Sequence, residues 1–318
     1  MKILFLDQNI WISLAEDVPD SGVEPKHTLA FSLLSEAVEN GKVLAPLTMG
    51  NIIETSKIND HSRRRRLTAV QNKFSKGKVF RSYKGRLSIE LRLALQIFFN
   101  EPIYTPDAFW FIGDSFVEAF EPFDGLIASA KEKSMNFLLH DALEPQQLYS
   151  TFMLEQGDDQ RKVAIKAFYC GTKDLTERIE RRREQVRKHS KDKRHKIYSA
   201  LLFVANDDLI GTILQTMGYM KEDFLQAGES GVQQFMRDVP NFYVETNLAL
   251  NLESLRRPIE ENDCLDISSL CAAIPYADCI VCEKMFAHIS NQERLGNRYN
   301  TKISRNLSDL TAYLQEIK

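Results

Sequence analysis

The chain lacks three features that would assign it to a specialised class. No apolar run approaches the roughly 18 residues of a transmembrane helix, so we expect no contact with a membrane. The N-terminus carries one lysine and then a strand-like run that contains an acid, which is not the pattern of a secretory signal. Cysteine is scarce and odd in number, at five of 318 residues, which favours reduced thiols and a cytoplasmic location.

Net charge is also small. The chain carries a formal charge of −3, so any nucleic-acid surface would have to be a local patch and not a property of the whole protein. Hydrophobic residues make up 43% of the chain, which is enough for a sizeable core. Composition therefore indicates a globular protein and leaves its function to the sequence motifs.

The N-terminal stretch KILFLDQNIWISL carries the first motif. Its apolar run, Ile3 to Leu6, ends directly at Asp7. A continuous apolar run of this kind is typical of a strand that is buried on both faces. The Asp7 carboxylate then lies at the carboxyl end of that strand, where open α/β sheets build their binding sites.

Strands and helices alternate at both ends of the chain. Lys42 to Leu47 predicts a second strand, and the helix behind it carries Glu54 in its second turn. The interval from about 109 to 234 has only helical patterns, before a strand is predicted at Asn241 to Val244 and another at Cys279 to Cys282. We therefore predict an α/β fold. Its parallel-sheet core would be formed by residues 1–84 and 241–318, with a large all-helical insertion at 85–240.

Acids follow these strands or open the helices behind them. The principal ones are Asp7, Glu54, Asp266 and Glu283, and Asp263 and Asp278 lie close by in sequence. Carboxylates that converge at one sheet edge repel one another unless a cation binds them. Oxygen-only ligands favour Mg²⁺ or Mn²⁺.

The order of these acids resembles the PIN domain of metal-dependent ribonucleases. The resemblance is carried by FLDQN, KVLAPLTMGNIIET and ENDCLDISSLCAAIPYADCIVCEKMF. It implies that Asp7, Glu54, Asp266 and Glu283 are catalytic metal ligands for Mg²⁺ or Mn²⁺. Glu283 stands where the family more often has Asp, so Asp278 or Asp263 are alternative ligands.

The same resemblance implies hydrolysis of RNA phosphodiester bonds by an endoribonuclease, on single-stranded or structured RNA. Many members of the family are toxins or defence nucleases, and others process ribosomal RNA. Asn9 would orient a phosphate or a water near Asp7.

Two basic clusters are candidates for RNA contact, because neutralised phosphates dominate nucleic-acid affinity. One is the run Arg63, Arg64, Arg65 and Arg66, just past Glu54. The other is the stretch 178–196, within which the predicted contacts are Arg181, Arg182, Arg183, Arg187 and Lys188. The sequence is also compatible with a homodimer.

Three other interpretations remain open. The Glu at 283 and the large insertion are compatible with a catalytically weak PIN-like module that binds RNA or a protein. Arg183 and His189 match the spacing of the HEPN ribonucleases, which cut RNA without metal. Cys264, Cys271, Cys279 and Cys282 suggest zinc, although a Cys pair within a buried strand fits a tetrahedral site poorly and buried free thiols are the simpler interpretation.

Overall fold

The computed structural model describes residues 1–16, 27–120, 143–155, 157, 176–177 and 179–318. It is a mostly helical α/β protein with a four-stranded, all-parallel sheet. The predicted α/β class and the parallel sheet are therefore confirmed. Cys170, Arg178 and part of the predicted helical insertion lie outside the described residues.

The strands within the described ranges are short. They are β1 Lys2–Leu6, β2 Val43–Leu44, β3 Val79–Phe80, β4 Ile112–Gly113, β5 Cys279–Val281 and β6 Lys302–Ser304. The parallel sheet has the order β2-β1-β5-β6, and β3 and β4 form a separate antiparallel pair. The register places Leu6 of β1 beside Val281 of β5 and Val281 beside Ser304 of β6.

Helices account for most of the remaining described chain. In chain order they are α1 Gln8–Glu16, α2 Thr28–Glu39, α3 Met49–Ser56, α4 His61–Ser75, α5 Tyr83–Phe98, α6 Pro145–Leu154, α7 Lys191–Ala205, α8 Asp207–Thr216, α9 Lys221–Leu225, α10 Gly228–Asp238, α11 Pro240–Ser254, α12 Glu261–Ala273, α13 Lys284–Gln292, α14 Leu295–Tyr299 and α15 Leu307–Glu316. Residues 179–186 are also helical, and Phe116–Ala119 forms a 3₁₀ turn.

The chain divides into two compact units. The first comprises Met1–Ser82, Phe111–Gly171 and Ala272–Lys318, and the second comprises Tyr83–Trp110 and Thr172–Cys271. The first unit contains the parallel sheet. The regular elements that the structure describes in the second unit are all helices. The predicted domain bounds stay a prediction; the compact units differ from them mainly in assigning 241–271 to the helical unit.

The strand predicted at Asn241–Val244 is wrong, because these residues open helix α11. Pro240 occupies the start of that helix, where its missing N–H is not needed. The backbone N–H and side-chain amide of Asn241 donate to the two oxygens of the Glu90 carboxylate, at 2.7 and 2.6 Å. A carboxylate at a helix N-terminus satisfies free donors and complements the helix dipole.

The core of the first unit forms around β1. Ile3 to Leu6 are at most 2% exposed, and Trp11 of α1 stacks on Phe74 of α4 with ring centroids 6.3 Å apart. Burial on both faces explains why β1 is a continuous apolar run instead of an alternating one.

Within the described residues, no single helix is long and apolar enough to cross a membrane. Helices α7 and α8, which are bent by 65° at the break between them, reach the length and apolar composition of a membrane span only when the two are taken together.

The described cysteines are free thiols. Cys271, Cys279 and Cys282 are buried, and Cys264 is partly buried. Burial raises the pKa of the Cys279 thiol to about 12, which keeps it protonated. Among the residues that the structure describes, no cysteine belongs to a group that could hold a metal ion.

Candidate acidic site

The site lies at the carboxyl edge of the parallel sheet, between β1 and β5. From β1 the chain moves to β2 on one side, and only much later to β5 on the other side. Such a reversal of strand order opens a crevice at the carboxyl ends, which is the usual place for binding sites in open α/β sheets. The residues that follow β1 and β5 therefore lie at this crevice.

Asp7 follows β1 directly and is 8% exposed. Its backbone N–H donates to the carbonyl of Val281 at 2.9 Å, which extends the pairing of β1 with β5 by one residue. Its carboxylate accepts the backbone N–H of Gln8 at 2.7 Å and also accepts the backbone N–H of Glu283. Two backbone donors thus hold this carboxylate at the crevice between the two strands.

Helix α3 brings Glu54 to the same edge. The helix begins in a capping box: the Thr48 hydroxyl accepts the N–H of Asn51, and the Asn51 side chain accepts the N–H of Thr48 at 3.0 Å. The Asn51 amide also donates to the carbonyl of Leu6 at 3.4 Å, which ties the first turn of α3 to the end of β1. The half-buried Glu54 follows in the second turn.

Glu283 reaches the site from β5. It is exposed and caps the N-terminus of α13 without a side-chain capping bond. The side-chain amide of Asn9 donates to its Oε1 at 3.3 Å. Asn9, which the sequence predicts to orient a phosphate or a water, therefore lies beside one of the predicted acids.

Burial, followed by mutual repulsion, raises the pKa values of Asp7 and Glu54. Burial raises the pKa of the Asp7 carboxyl to about 6, with a further increase from the charge of Glu283, against the two backbone N–H donors. Burial, Asp7 and Glu283 raise the pKa of the Glu54 carboxyl to about 7, against the nearby Lys57. Three carboxyl groups from distant parts of the sequence therefore share one electrostatic environment, which a bound cation would stabilise.

The donor chemistry of the site fits a hard cation. Asp7, Glu54 and Glu283 supply only oxygens, the ligands that Mg²⁺ and Mn²⁺ prefer. Among the described residues, however, no group of three or more acidic, histidine or cysteine side chains lies close enough to enclose a metal ion. Mg²⁺ retains several waters and commonly uses one or two protein carboxylates together with substrate phosphates, so an incomplete protein shell suits it.

Asp278 lies away from this site. Asp278 precedes β5, where its carboxylate accepts the backbone N–H of Ile3 at 2.8 Å and pairs with Lys2 at 2.7 Å. Since β1 and β5 are parallel, Asp278 lies at the amino edge of the sheet, about 13 Å from Asp7 along the strand. Its prediction as a metal ligand is corrected accordingly.

The other two predicted acids belong to the second unit. Asp263 is 5% exposed, and its carboxylate is held by the guanidinium of Arg257 at 2.6 and 2.8 Å and by the N–H of Glu260 at 2.7 Å. These bonds use its carboxylate at the start of α12, and its role as a metal ligand stays a prediction. Asp266 lies within α12, in the part assigned to the second unit, and stays a prediction from the sequence.

The run Arg63 to Arg66 opens helix α4, which is capped by Asp60. Arg64 is 3% exposed, and its guanidinium donates to the backbone carbonyls of Met153 and Ile58. It is thus a structural residue and is withdrawn from the predicted RNA contacts. Arg63 and Arg65 are exposed and Arg66 is partly exposed, so these three remain candidates.

The second basic cluster is also partly used within its own unit. Arg182 pairs with Glu253 and lies over the ring of Tyr198 at 4.2 Å. Arg183 donates to the carbonyls of Glu253 and Arg257, both at 2.9 Å. Because these bonds occupy the guanidinium of Arg183, they do not favour the HEPN-like interpretation in which Arg183 acts with His189.

The remaining members of this cluster point to a smaller candidate surface. Arg181, Arg187 and Lys188 are exposed. Arg181 pairs only loosely, at 3.8 Å, with Glu177 one turn earlier. They remain predicted RNA contacts.

A chain of buried polar side chains lies behind the acids and was not anticipated from the sequence. Gln8 Nε2 donates to Thr55 Oγ1 at 3.0 Å, Gln71 Nε2 donates to the same oxygen at 2.9 Å, and the Tyr149 hydroxyl donates to Gln71 Oε1 at 2.6 Å. Gln8 and Thr55 are the chain neighbours of Asp7 and Glu54. The network therefore fixes the two acid-bearing segments against each other. Its one sequence signal is a glutamine within the apolar stripe of α4.

We expect these acids to make stability fall with rising pH. A carboxyl whose folded pKa is raised stabilises the fold below its unfolded pKa, and that contribution is lost as pH rises through the folded pKa. With ordinary values of 3.8 and 4.5 raised to about 6 and 7, the loss spans roughly pH 4 to 7. Urea unfolding in the presence of a chelator should show it. The double variant Asp7→Asn, Glu54→Gln should flatten the slope, and Glu155→Gln, at the exposed end of α6, should not. An equal slope in all three proteins would contradict the assigned burial.

Comparison of the chain with protein-family models, with curated proteins and with solved structures found no match. The geometry of the carboxyl edge therefore carries the functional interpretation. At this edge, three interacting carboxyl groups, those of Asp7, Glu54 and Glu283, lie at the switch point of an all-parallel sheet.

Proposed function

We propose that this protein is a PIN-like, metal-dependent endoribonuclease whose active site is the acidic cluster Asp7, Glu54 and Glu283. The observation that carries the proposal is the convergence of these three carboxyl groups at the β1–β5 switch point, with the pKa values of two of them raised to about 6 and 7. Raised pKa values of this kind are typical of functional sites and rare on ordinary surfaces. The resemblance of the sequence to PIN domains supports RNA as the substrate, and Asp266 stays a ligand predicted from the sequence.

Two of these carboxylates, Asp7 with Glu54 or with Glu283, would hold Mg²⁺ or Mn²⁺ together with waters and phosphate oxygens. The ion would supply a positive charge for the phosphate and lower the pKa of water. Asp7 is the central ligand, because two backbone N–H donors already fix its orientation. The side-chain amide of Asn9 donates to Glu283 of the cluster, which places Asn9 to position a phosphate oxygen or the attacking water. The buried network of Gln8, Thr55 and Gln71 keeps Asp7 and Glu54 in register.

Cation binding should be measurable without any RNA. We expect Mn²⁺ to raise the melting temperature of the wild-type protein, because a ligand that binds only the folded state stabilises it. The effect should be larger at about pH 8 than at about pH 5, since Asp7 and Glu54 must lose their protons before they bind a cation. The variant Glu54→Gln should lose most of the shift. Glu155→Gln should keep it.

The direct test of the function is cleavage of a mixed RNA pool by purified protein with Mn²⁺, with Mg²⁺ and with chelator. Cutting that requires the metal supports the proposal. Cutting that continues in chelator would contradict it and would move the chemistry away from the acids.

A second candidate is a catalytically weak PIN-like module that binds RNA or a protein partner. The observation that favours it is the incomplete carboxylate shell among the described residues, in which Glu283 is exposed and shared with Asn9. Protein that binds RNA but leaves it intact with either metal would select this candidate.

A further inference from the structure

A second concave feature lies on the same edge of the first unit. It is a cavity of about 330 Å³ between the end of β6 and helix α13. Its polar lining is Lys284, His288, Asn291, Ser304, Arg305 and Asp309. We refer to these six residues as the β6 pocket.

The β6 pocket is rich in hydrogen-bond donors. Lys284, His288, Asn291 and Arg305 are exposed, and Ser304 is 7% exposed. Across the part of the chain that the structure describes, the side chains of Lys284, His288 and Arg305 have no ion-pair or hydrogen-bond partner. Basic side chains that converge on a cavity without a partner form a site for an anion.

The acid in this pocket does not cancel that charge. Asp309 lies in the first turn of α15, where a negative charge complements the helix dipole. Its own N–H is accepted by the Asn306 side chain at 2.9 Å, the N-cap of that helix. The pocket lining thus has two cations, Lys284 and Arg305, and one carboxylate, and His288 and Asn291 add further donors.

The pocket is close to the acidic cluster through the sheet itself. The backbone N–H of Asp7 donates to Val281 of β5 at 2.9 Å, and that of Cys282 donates to Ser304 of β6 at 3.1 Å. Asp7, Cys282 and Ser304 therefore follow one another across the carboxyl edge, two strand spacings or about 10 Å apart in total. Glu283 of the cluster and Lys284 of the pocket are adjacent in the chain.

We propose that the β6 pocket binds a backbone phosphate of single-stranded RNA, next to the phosphate that is cleaved at the acidic cluster. Lys284 and Arg305 contact the phosphate as cations, and Asn291 and Ser304 donate hydrogen bonds to it. A strand that passes from the acids to this pocket runs along the carboxyl edge, over β5 and β6. The inference rests on the proposed function for the identity of the ligand, and its test uses binding instead of cleavage.

The experiment measures binding of a short fluorescent single-stranded RNA by anisotropy over a range of salt concentrations. The parent protein is Asp7→Asn, so that the RNA stays intact. In this background, Lys284→Ala with Arg305→Ala should weaken binding several-fold and reduce the magnitude of the slope of log K against log salt by about 0.7, the value for one lost phosphate contact on a single strand. Arg294→Ala, exposed between α13 and α14 and not part of the pocket, should change neither quantity.

Two further arms separate the sources of phosphate. Inorganic phosphate in a thermal-shift assay reports a site for small anions. Arg305→Lys, which keeps the positive charge, should keep most of the salt slope of the parent protein. An unchanged slope in the double variant would overturn the proposal, as would a parent protein that binds no RNA. A phosphate-induced shift lost in the double variant without any change in RNA binding would also overturn it. Wild-type protein that fails to cleave while the double variant shows the predicted loss would refute the nuclease and leave the pocket standing.

Discussion

Asp7→Asn is expected to lower metal-dependent RNA cleavage by about 100-fold or more while the protein stays folded. The carboxylate of Asp7 is the buried member of the acidic cluster, and it accepts two backbone N–H donors at the crevice between β1 and β5. Asn has nearly the same shape but no charge to hold a cation. Single-turnover cleavage with excess Mn²⁺ would measure the loss.

Folding of this variant can be predicted from the same geometry. Burial raises the pKa of Asp7 to about 6, so the charged form is disfavoured in the folded state. A neutral amide removes that unfavourable burial, and at neutral pH the variant should be at least as stable as the wild type without metal. Loss of activity would then report chemistry and not unfolding.

The matched control is Asp278→Asn. It makes the same chemical change on the same sheet, but at the amino edge, where the Asp278 carboxylate accepts the N–H of Ile3 and pairs with the exposed Lys2. We expect near wild-type cleavage from this variant. If Asp278→Asn lost activity as severely as Asp7→Asn, the assignment of the site to the carboxyl edge would be refuted.

The second large effect is expected at Gln71. Its side chain is fully buried and bonds both the Thr55 hydroxyl and the Tyr149 hydroxyl, which are themselves 0% exposed. Gln71→Leu would leave the buried Tyr149 hydroxyl without its partner and the Thr55 hydroxyl with only the Gln8 amide, which predicts a loss of about 1 to 3 kcal/mol in the free energy of unfolding. Urea unfolding would measure it.

Each unit contains one tryptophan, which allows the measurement to be made selective. Trp11 is fully buried in the first unit, and Trp110 belongs to the second. In a Trp110→Phe background, fluorescence follows only the unit that contains Gln71.

A second substitution tests the cause of the instability. Tyr149→Phe should lower the free energy of unfolding of the wild type. In the Gln71→Leu background it should lower that free energy less, or raise it, because there it removes a hydroxyl that already lacks its partner. Additive effects of the two substitutions would show that the hydroxyl is not what Gln71 satisfies.

The local sequence determined the parts of this protein that depend on near neighbours. The apolar run Ile3–Leu6 predicts β1 because a strand buried on both faces needs no alternation. Asp7 at its end, Glu54 behind β2 and Glu283 behind β5 follow from the same reasoning, because parallel strands share their carboxyl edge. The assignment of 241–244 as a strand failed, since four apolar and polar residues cannot distinguish a short strand from a helix start without knowledge of the Glu90 partner.

The tertiary structure decided which charged and polar residues are available. Arg63 and Arg64 are neighbours in one basic run, yet the first is exposed and the second is bound to the carbonyls of Met153 and Ile58. Asp278 and Glu283 are five positions apart, yet β5 separates them onto opposite edges of the sheet. Hydrogen-bond partners and strand direction are set by residues far away in the chain, so they appear only when the chain is folded.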